Sequence, residues 1–217
     1  MQKSRPAAVP AKPFPKVVEL RLPESDAVLV AALRAGRVEA KRQLFDRYGS
    51  DVERVLYRIL GPDAEIPDLL QDVFLAALAS IDKLRKPEAL RAWLTGIAVR
   101  KARKCILKRR RWRFIRLLQH GESPDSEAPA APAEVSEALR CTYVVLDAMP
   151  PNERLVFALR HIDGMELTEV AGACAISLAT VKRRLVRAQA SFDALAMQQP
   201  ALIEWVRARR IRIGAES

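Results

Sequence analysis

The sequence has 217 residues, half of them apolar and only 6% aromatic. This length allows one large domain or two small ones, and the low aromatic content favours packed helices over an aromatic-rich β-sandwich. Lys and Arg exceed Asp and Glu by 37 to 26, a formal net charge of +11. Such an excess indicates a polyanionic partner, with nucleic acid ahead of an anionic membrane surface.

Cysteine spacing and hydropathy exclude several other classes. Three widely separated cysteines without C-x-x-C spacing, and two isolated histidines, indicate neither a disulfide framework nor a zinc site. No secretory signal and no apolar run long enough to span a bilayer can be recognised. We therefore expect a cytoplasmic protein without membrane insertion, metal or cofactor.

The amino-terminal part is predicted to be an arm followed by three helices. Five prolines in residues 1–23 disfavour a continuous helix, so a flexible basic arm is expected there. Ser25 or Asp26 can cap a helix that ends at Gly36. Two more helices are predicted over about 38–48 and 51–60, the second ending at Gly61-Pro62. The core side of the 38–48 helix is predicted to be Leu44, Phe45 and Tyr48.

The stretch PDLLQDVFLAAL predicts an amphipathic helix with Pro67 in its first turn. Asp68, Gln71 and Asp72 lie opposite its apolar stripe. Two carboxylates one turn apart can form a metal or acid–base pair, but no third ligand or histidine lies nearby in the sequence. An acidic stripe on a basic protein is better explained as a docking face for a protein partner.

A long basic helix is predicted after the loop KLRKP at residues 83–87. It begins with an apolar face that includes Leu90, Trp93 and Ile97. Ten Lys or Arg residues without any acidic residue then lie between Arg100 and Arg116, with two aromatic residues among them. Such a helix can neutralise phosphates while its aromatic rings stack on unpaired bases. A membrane-surface helix and a plain solvated face are the alternatives, and we favour nucleic acid.

The carboxyl-terminal part contains a predicted helix-turn-helix. It follows a Pro- and Ala-rich acidic linker over residues 119–134 and further helices from about residue 135. The stretch LTEVAGACAISLATVKRRLVRAQA reads as two helices around a tight turn, with Ser177 as cap of the second helix. Val181 and Leu185 are expected to point inward and the basic residues of the second helix outward. The alternative is an ordinary αα-hairpin with a solvated basic face.

These elements predict an all-α fold of two small helical domains joined by a flexible acidic linker. The expected boundaries are a basic arm at 1–23, a first domain at 24–118, the linker at 119–134, a second domain at 135–195 and a basic tail at 196–217. A further helix is expected in the tail over about 200–213.

The motifs, taken in order, resemble the extracytoplasmic-function (ECF) group of bacterial sigma factors. PDLLQDVFLAAL is similar to the region 2 helix that docks on RNA polymerase, and LRAWLTGIA to the start of the promoter-melting helix. MPPNERLVFALRHIDGMELTEVAGACAISLATVKRRLVRA is similar to region 4 with its recognition helix. The resemblance covers about residues 24–195.

The resemblance implies a role for each set of residues. Polymerase binding would fall to Asp68, Leu69, Gln71, Asp72 and Phe74. Reading and melting of the −10 promoter element would fall to Lys83, Arg85, Lys86, Arg91, Trp93, Arg100, Lys101, Lys104, Lys108 and Arg109. Recognition of the −35 element would fall to Ser177, Thr180, Lys182, Arg183, Arg184 and Arg187. The implied partners are core RNA polymerase, promoter DNA and an anti-sigma factor, and no catalytic activity is implied.

Four residues depart from the family pattern. Arg100 and Lys104 stand where family members often have Asn and Asp, so the −10 contacts are expected to differ. Ala175 occupies the turn position that is usually Gly, which predicts a modest strain in a left-handed conformation. Glu166 replaces the usual Ser or Thr cap of the first helix of the helix-turn-helix and is a weaker cap.

Two other functions are weighed against the sigma factor. One is a stand-alone helix-turn-helix regulator that binds duplex DNA as a dimer, although such a protein needs no second basic domain. The other is a metal-dependent nuclease or similar enzyme that uses Asp68 and Asp72.

Overall fold

The computed structural model describes residues 25–120, 137–204 and 206–207, with the backbone alone for residues 117–120. All regular elements in these ranges are helical, as the sequence predicts. The predicted arm at 1–23, most of the acidic linker and the end of the tail lie outside the described residues.

The amino-terminal half, residues 25–120, begins with α1 (Asp26–Arg34), α2 (Val38–Leu60) and α3 (Ile66–Leu78). The prediction of two helices at 38–48 and 51–60 is wrong, because α2 runs through Gly49 and Ser50 without a break. A glycine inside a helix costs about 1 kcal/mol relative to alanine. The burial of Tyr48 and Val52 on either side of it outweighs that cost.

Phe45 is also predicted wrongly as a core residue. Its side chain is 48% exposed, and its ring centroid lies 5.1 Å from that of the buried Phe74 on α3. The helical period places Leu44 and Tyr48 in the core and leaves Phe45 at the edge of the α2–α3 contact.

Two 3₁₀ turns, Ile81–Lys83 and Pro87–Ala89, lead into α4 (Leu90–His120). At 1.5 Å per residue its 31 residues span about 46 Å. Its first half is buried against α2 and α3 through apolar residues such as Leu94 and Ile106. Trp112 and Phe114, farther along, are 58% and 61% exposed, so the basic end of α4 projects from the core.

The carboxyl-terminal half, residues 137–207, contains α5 (Glu137–Ala148), α6 (Pro151–Phe157), α7 (Leu167–Cys174) and α8 (Leu178–Ala196). α6 continues as a π-helical turn over Ala158–Ile162. The described part of the tail is helical, and Leu202 and Val206 are buried in it. The tail therefore packs as part of this half.

The two halves are in contact. α4 lies against α6 and α7, and α2 lies against the π-helical turn. The buried apolar side chains of both halves form one continuous cluster. The structure thus shows two helical units that share an interface, in addition to the linker that joins them in sequence.

Candidate nucleic-acid-binding and docking surfaces

The helix-turn-helix is formed by α7 and α8 and by the turn between them. Ala175 adopts the left-handed conformation that the sequence predicts, with φ of +53°. The Ser177 hydroxyl caps α8 by accepting a hydrogen bond from the Thr180 backbone N–H at 3.2 Å. Val181 is fully buried and fixes α8 against the rest of the half. The Glu166 cap of α7 is reinforced because its own N–H donates to the Glu169 carboxylate at 2.8 Å.

The predicted −35 residues are the cap Ser177 and five residues within the first three turns of α8. Lys182, Arg183 and Arg187 are exposed, and Arg184 is half-buried. Arg183 donates a hydrogen bond to the Thr180 hydroxyl at 3.3 Å. None of these four cations forms a salt bridge with the residues that the structure describes. Their charge is therefore available to an anionic partner.

The predicted −10 residues fall into two groups in the structure. Arg91 is paired with Asp51 at 2.9 Å, Lys101 with Asp72 at 2.9 Å, and Arg109 with two carboxylates. The others form no salt bridge within the described ranges. Those that are exposed are Lys83, Arg85, Lys86, Arg100, Lys104 and Lys108, whereas Trp93 is half-buried.

Arg109 is the most firmly held of the paired cations. Both of its terminal nitrogens donate to Asp63, and one lies 3.1 Å from the Glu65 carboxylate. Burial alone would raise the pKa of Asp63, but the hydrogen bonds from Arg109 and the Glu65 N–H outweigh it and lower that pKa below its usual value. Hydrogen bonding to Asp63 raises the pKa of Arg109. This arginine joins α4 to the loop before α3, a pairing over 46 residues that sequence spacing does not reveal.

The predicted docking face on α3 combines charge with an apolar groove. Asp68, Gln71 and Asp72 are exposed, Leu69 is half-buried and Phe74 is 7% exposed. Since Asp72 pairs with Lys101, the docking face and the basic helix α4 meet at this salt bridge.

Sequence reasoning named Leu69 and Phe74 on this face but missed the groove that lies between α2 and α3. A groove of about 360 Å³ runs between α2 and α3. Leu75, in its wall, is 56% exposed. The residues that line the groove are Phe45, Glu53, Pro67, Leu70, Gln71, Phe74, Leu75 and Leu78. An exposed apolar groove with a polar rim is typical of a protein-binding site.

The Asp68 and Asp72 carboxylates lack the surroundings of a metal centre. Within residues 25–120, 137–204 and 206–207, no three His, Cys, Asp or Glu side chains cluster as a metal site requires. Among the described helices, none combines the length and the apolar character that crossing a bilayer requires.

Comparison with known proteins assigns a family to both halves. The model for Sigma-70 region 2 matches residues 44–113, and the model for Sigma-70 region 4 matches residues 139–190. Together they cover more than half of the chain. The first match contains the docking face and α4 as far as residue 113, and the second contains α7 and α8 as far as residue 190.

Individual proteins give the same result. The ECF RNA polymerase sigma-E factor of Escherichia coli (strain K12) is 26% identical over 78% of this chain and 93% of its own length. The RNA polymerase sigma factor CnrH of Cupriavidus metallidurans is 27% identical over 79% of this chain and 94% of its own.

Solved structures share the fold. CnrH in complex with the cytosolic domain of CnrY matches with a TM-score of 0.56 and 28% identity, over 81% of this chain and 99% of that one. The sigma factor RpoE of Bartonella quintana, in complex with the anti-sigma factor NepR, matches in fold with a TM-score of 0.55 and 22% identity, over 73% of this chain and 97% of that one. The chain belongs to the ECF group of the sigma-70 family of RNA polymerase sigma factors.

Proposed function

We propose that this sigma factor binds core RNA polymerase through the α2–α3 groove and directs it to promoters through α4 and α8. The observation that carries the proposal is the separation of two kinds of surface on one chain. One is apolar with an acidic rim, and the others are basic. The apolar surface suits a protein partner, and the basic surfaces suit a nucleic acid.

In this proposal α8 reads the −35 element. Its exposed cations Lys182, Arg183 and Arg187 follow a capped helix start, the arrangement with which a recognition helix enters a major groove. The Ser177 and Thr180 hydroxyls lie at that helix start, 2.9 Å apart, where they can contact the phosphate backbone.

The −10 element is assigned to α4 and the loop before it. Arg100, Lys104 and Lys108, which form no salt bridge with the described residues, would hold the backbone of the melted strand, with Lys83, Arg85 and Lys86 in the loop. Exposed Trp112 and Phe114 can stack on unpaired bases farther along the helix. Arg109 is assigned a structural role, since its guanidinium is already paired with Asp63 and Glu65.

Polymerase binding is assigned to the groove and its rim. Leu75 and Phe45 supply exposed apolar area, and Asp68 and Gln71 supply the polar edge. Leu69 and Asp72 lie on the same face, and the buried Phe74 lines the bottom of the groove.

An anti-sigma factor is a further proposed partner. The structure of CnrH, which covers 81% of this chain at 28% identity, has been solved with the cytosolic domain of CnrY bound to it. A partner of that kind would hold this protein away from polymerase until a signal releases it. We assign the protein no catalytic activity of its own, and we place it in the cytoplasm because its proposed targets, core polymerase and chromosomal promoters, are there.

Run-off transcription tests the proposal. Core RNA polymerase is incubated with a library of promoter-like duplexes, with and without the protein, and the products are sequenced. Transcripts that require the protein are expected, and they would also give its promoter sequence. Leu75→Glu, which places a charge in the groove, is expected to reduce the product at least tenfold.

Ala79→Glu is the matched control, because Ala79 is exposed at the end of α3 outside the groove. Equal loss in both variants would contradict the assignment of the groove. Absence of any protein-dependent product, with tight salt-sensitive binding of the free protein to duplex DNA, would favour the stand-alone regulator.

A further inference from the structure

The loop before α4 presents its cations on an anchored backbone. We name residues 81–87 the −10 loop. Its two large apolar side chains, Ile81 and Leu84, are 5% and 3% exposed, so they fix the loop to the core. The three cations of the loop are exposed, at Lys83, Arg85 and Lys86. The loop therefore turns its apolar residues inward and all of its positive charge toward solvent.

The two turns of this segment hold only part of its backbone. The Leu84 N–H donates to the Ile81 carbonyl at 3.1 Å and closes the first turn. The Ala89 N–H donates to the Lys86 carbonyl at 2.9 Å and closes the second. Among the described residues, no backbone N–H donates to the Leu84 carbonyl, which lies between the two turns. A carbonyl of this kind takes its donor from water or from a side chain.

Arg34, the last residue of α1, supplies that donor. Its Nη2 atom donates a hydrogen bond to the Leu84 carbonyl oxygen, across 50 residues of sequence. Its Nε atom also lies 4.0 Å from the Asp82 carboxylate, but that side chain is 88% exposed, so the ion pair contributes little. Because the peptide unit is planar, fixing the Leu84 oxygen also fixes the direction of the Arg85 N–H. The hydrogen bond from Arg34 thus orients the part of the loop that carries its cations.

The helix that carries Arg34 is itself firmly held. Leu29 and Leu33 of α1 are 2% and 5% exposed. At the start of α1, the Asp26 carboxylate accepts hydrogen bonds from the Tyr48 hydroxyl at 2.6 Å and from the Arg47 guanidinium at 2.9 Å. α1 also lies against both 3₁₀ turns that precede α4. The guanidinium therefore projects from a rigid element, which is what the accurate placement of a loop requires.

We propose that Arg34 is a positioning residue for −10 recognition, which holds the −10 loop in the conformation in which Arg85 and Lys86 meet the promoter. The inference rests on the proposed assignment of the −10 element to this loop. Flexible cations attract any phosphate backbone and so give affinity without sequence preference. A loop that is fixed before binding loses less conformational freedom when it meets the bases that it fits, and this favours one sequence over others.

Run-off transcription with two promoter libraries tests the proposal in the full chain. One library randomises the −10 element and the other the −35 element, and the products are sequenced. Selectivity is the ratio of product from the preferred base to product from the least-used base at each position. Arg34→Gln is expected to lower selectivity about three- to tenfold at one or more −10 positions and to leave it unchanged at −35. A general loss of stability would reduce all products alike and would not change these ratios.

Arg37→Gln is the matched control. Arg37 lies three residues farther along and is exposed, and its side chain forms no hydrogen bond or salt bridge with the residues that the structure describes. The control removes the same charge and is expected to keep the wild-type selectivity at both elements. A uniform loss of product in Arg34→Gln, with a lower salt dependence and unchanged selectivity, would show that Arg34 contacts a phosphate itself. That result would overturn the proposal.

Amide hydrogen exchange, followed by NMR in the free protein, measures the loop directly. The Leu84 and Ala89 N–H groups close the two turns, and they are expected to exchange about three- to tenfold faster in Arg34→Gln than in the wild type. The N–H groups of α2 are expected to exchange at unchanged rates. Unchanged exchange of the Leu84 and Ala89 N–H groups would overturn the proposal. Failure of the proposed function would look different, since the wild type itself would then give no protein-dependent transcript from either library.

Discussion

The two basic helices, α4 and α8, look alike in sequence but differ in how much of their charge is available. On α8 the exposed cations Lys182, Arg183 and Arg187 form no salt bridge with the described residues. On α4 three of the predicted DNA-binding cations are paired with carboxylates of α2, of α3 or of the loop between them. On α4, therefore, part of the positive charge holds the helix in place and the rest is available to DNA. On α8 the exposed cations serve the proposed DNA binding alone.

The largest effect is expected where a cation of α4 is structural. Asp63→Asn should lower the free energy of unfolding at pH 7 by about 2–3 kcal/mol, because it leaves Arg109 without its main partner in a contact where Asp63 is 4% exposed. Urea denaturation measures the loss. Asp82→Asn is the control, since that side chain is 88% exposed and lies 4.0 Å from Arg34. A similar loss in both would show that the Asp63 contact has no special weight.

Lowering the pH should remove the stabilisation that the contact between Asp63 and Arg109 provides. The folded-state pKa of Asp63 is lowered, so its stabilisation is complete above the unfolded-state value of about 3.9. It is lost as the pH falls through the folded-state pKa. The difference in stability between the wild type and Asp63→Asn should therefore be full at pH 7 and shrink below about pH 4. A difference that stayed constant down to pH 2 would contradict the ion pair.

Removing an available cation from α8 should weaken DNA binding instead. Arg183→Ala is expected to reduce affinity for a −35 duplex by about 1–2 kcal/mol and to lower the salt dependence by about one phosphate contact. Fluorescence anisotropy at several salt concentrations measures both. Arg207→Ala, which removes a cation of the tail that pairs with Glu204, is the control and should change neither. If the two variants bound DNA equally, the recognition helix would be assigned wrongly.

The turn that presents α8 carries a strain that glycine would relieve. Ala175→Gly is expected to stabilise the protein by about 1 kcal/mol, because glycine adopts the φ of +53° without steric cost. Gly164→Ala is the reverse test. Its φ is +84° and no atom lies within 4 Å of the added methyl group, so backbone strain alone should destabilise the protein. Thermal unfolding should move upward for the first variant and downward for the second.

The smallest effect separates two neighbouring lysines of α4. Lys101→Ala should cost at most about 0.5 kcal/mol of stability, because its salt bridge with Asp72 is partly exposed. Lys104→Ala should leave stability unchanged, since Lys104 forms no salt bridge within the described ranges. Both should weaken binding to single-stranded −10 DNA, and Lys104→Ala should do so more. The reverse order would indicate that pairing with Asp72 does not withhold Lys101 from DNA.

Local features of the fold could be predicted from the sequence. The Ser177 cap, the left-handed Ala175, Pro67 in the first turn of α3 and the end of α2 at Gly61 each follow from a residue and its immediate neighbours, and the structure contains all four. Local chemistry determines caps, turns and helix ends, so spacing along the chain is sufficient.

Features that depend on distant residues could not be predicted. The pairing of Arg109 with Asp63 and the contact of Arg154 with α2 join residues 46 and about 95 positions apart. The continuity of α2 through Gly49 depends on burial by other helices, which a glycine-serine pair does not indicate. The exposure of Phe45 depends on how α3 packs against α2, where its ring meets that of Phe74. The roles of individual site residues remain proposals from the resemblance and from their exposure.

Gly61 limits how this protein can vary. Its φ is +87°, which disfavours any side chain, and an added Cβ would lie 2.7 Å from the ring of Tyr143 in the other half. A substitution at this position would therefore disturb the end of α2 and the seating of α5 at once. A change elsewhere that relaxed the backbone at residue 61 would leave the steric clash with the Tyr143 ring. A smaller residue at position 143 would remove that clash but leave the backbone strain at residue 61. A single compensating change in either half is not enough, so this glycine ties the sequence of one half to that of the other.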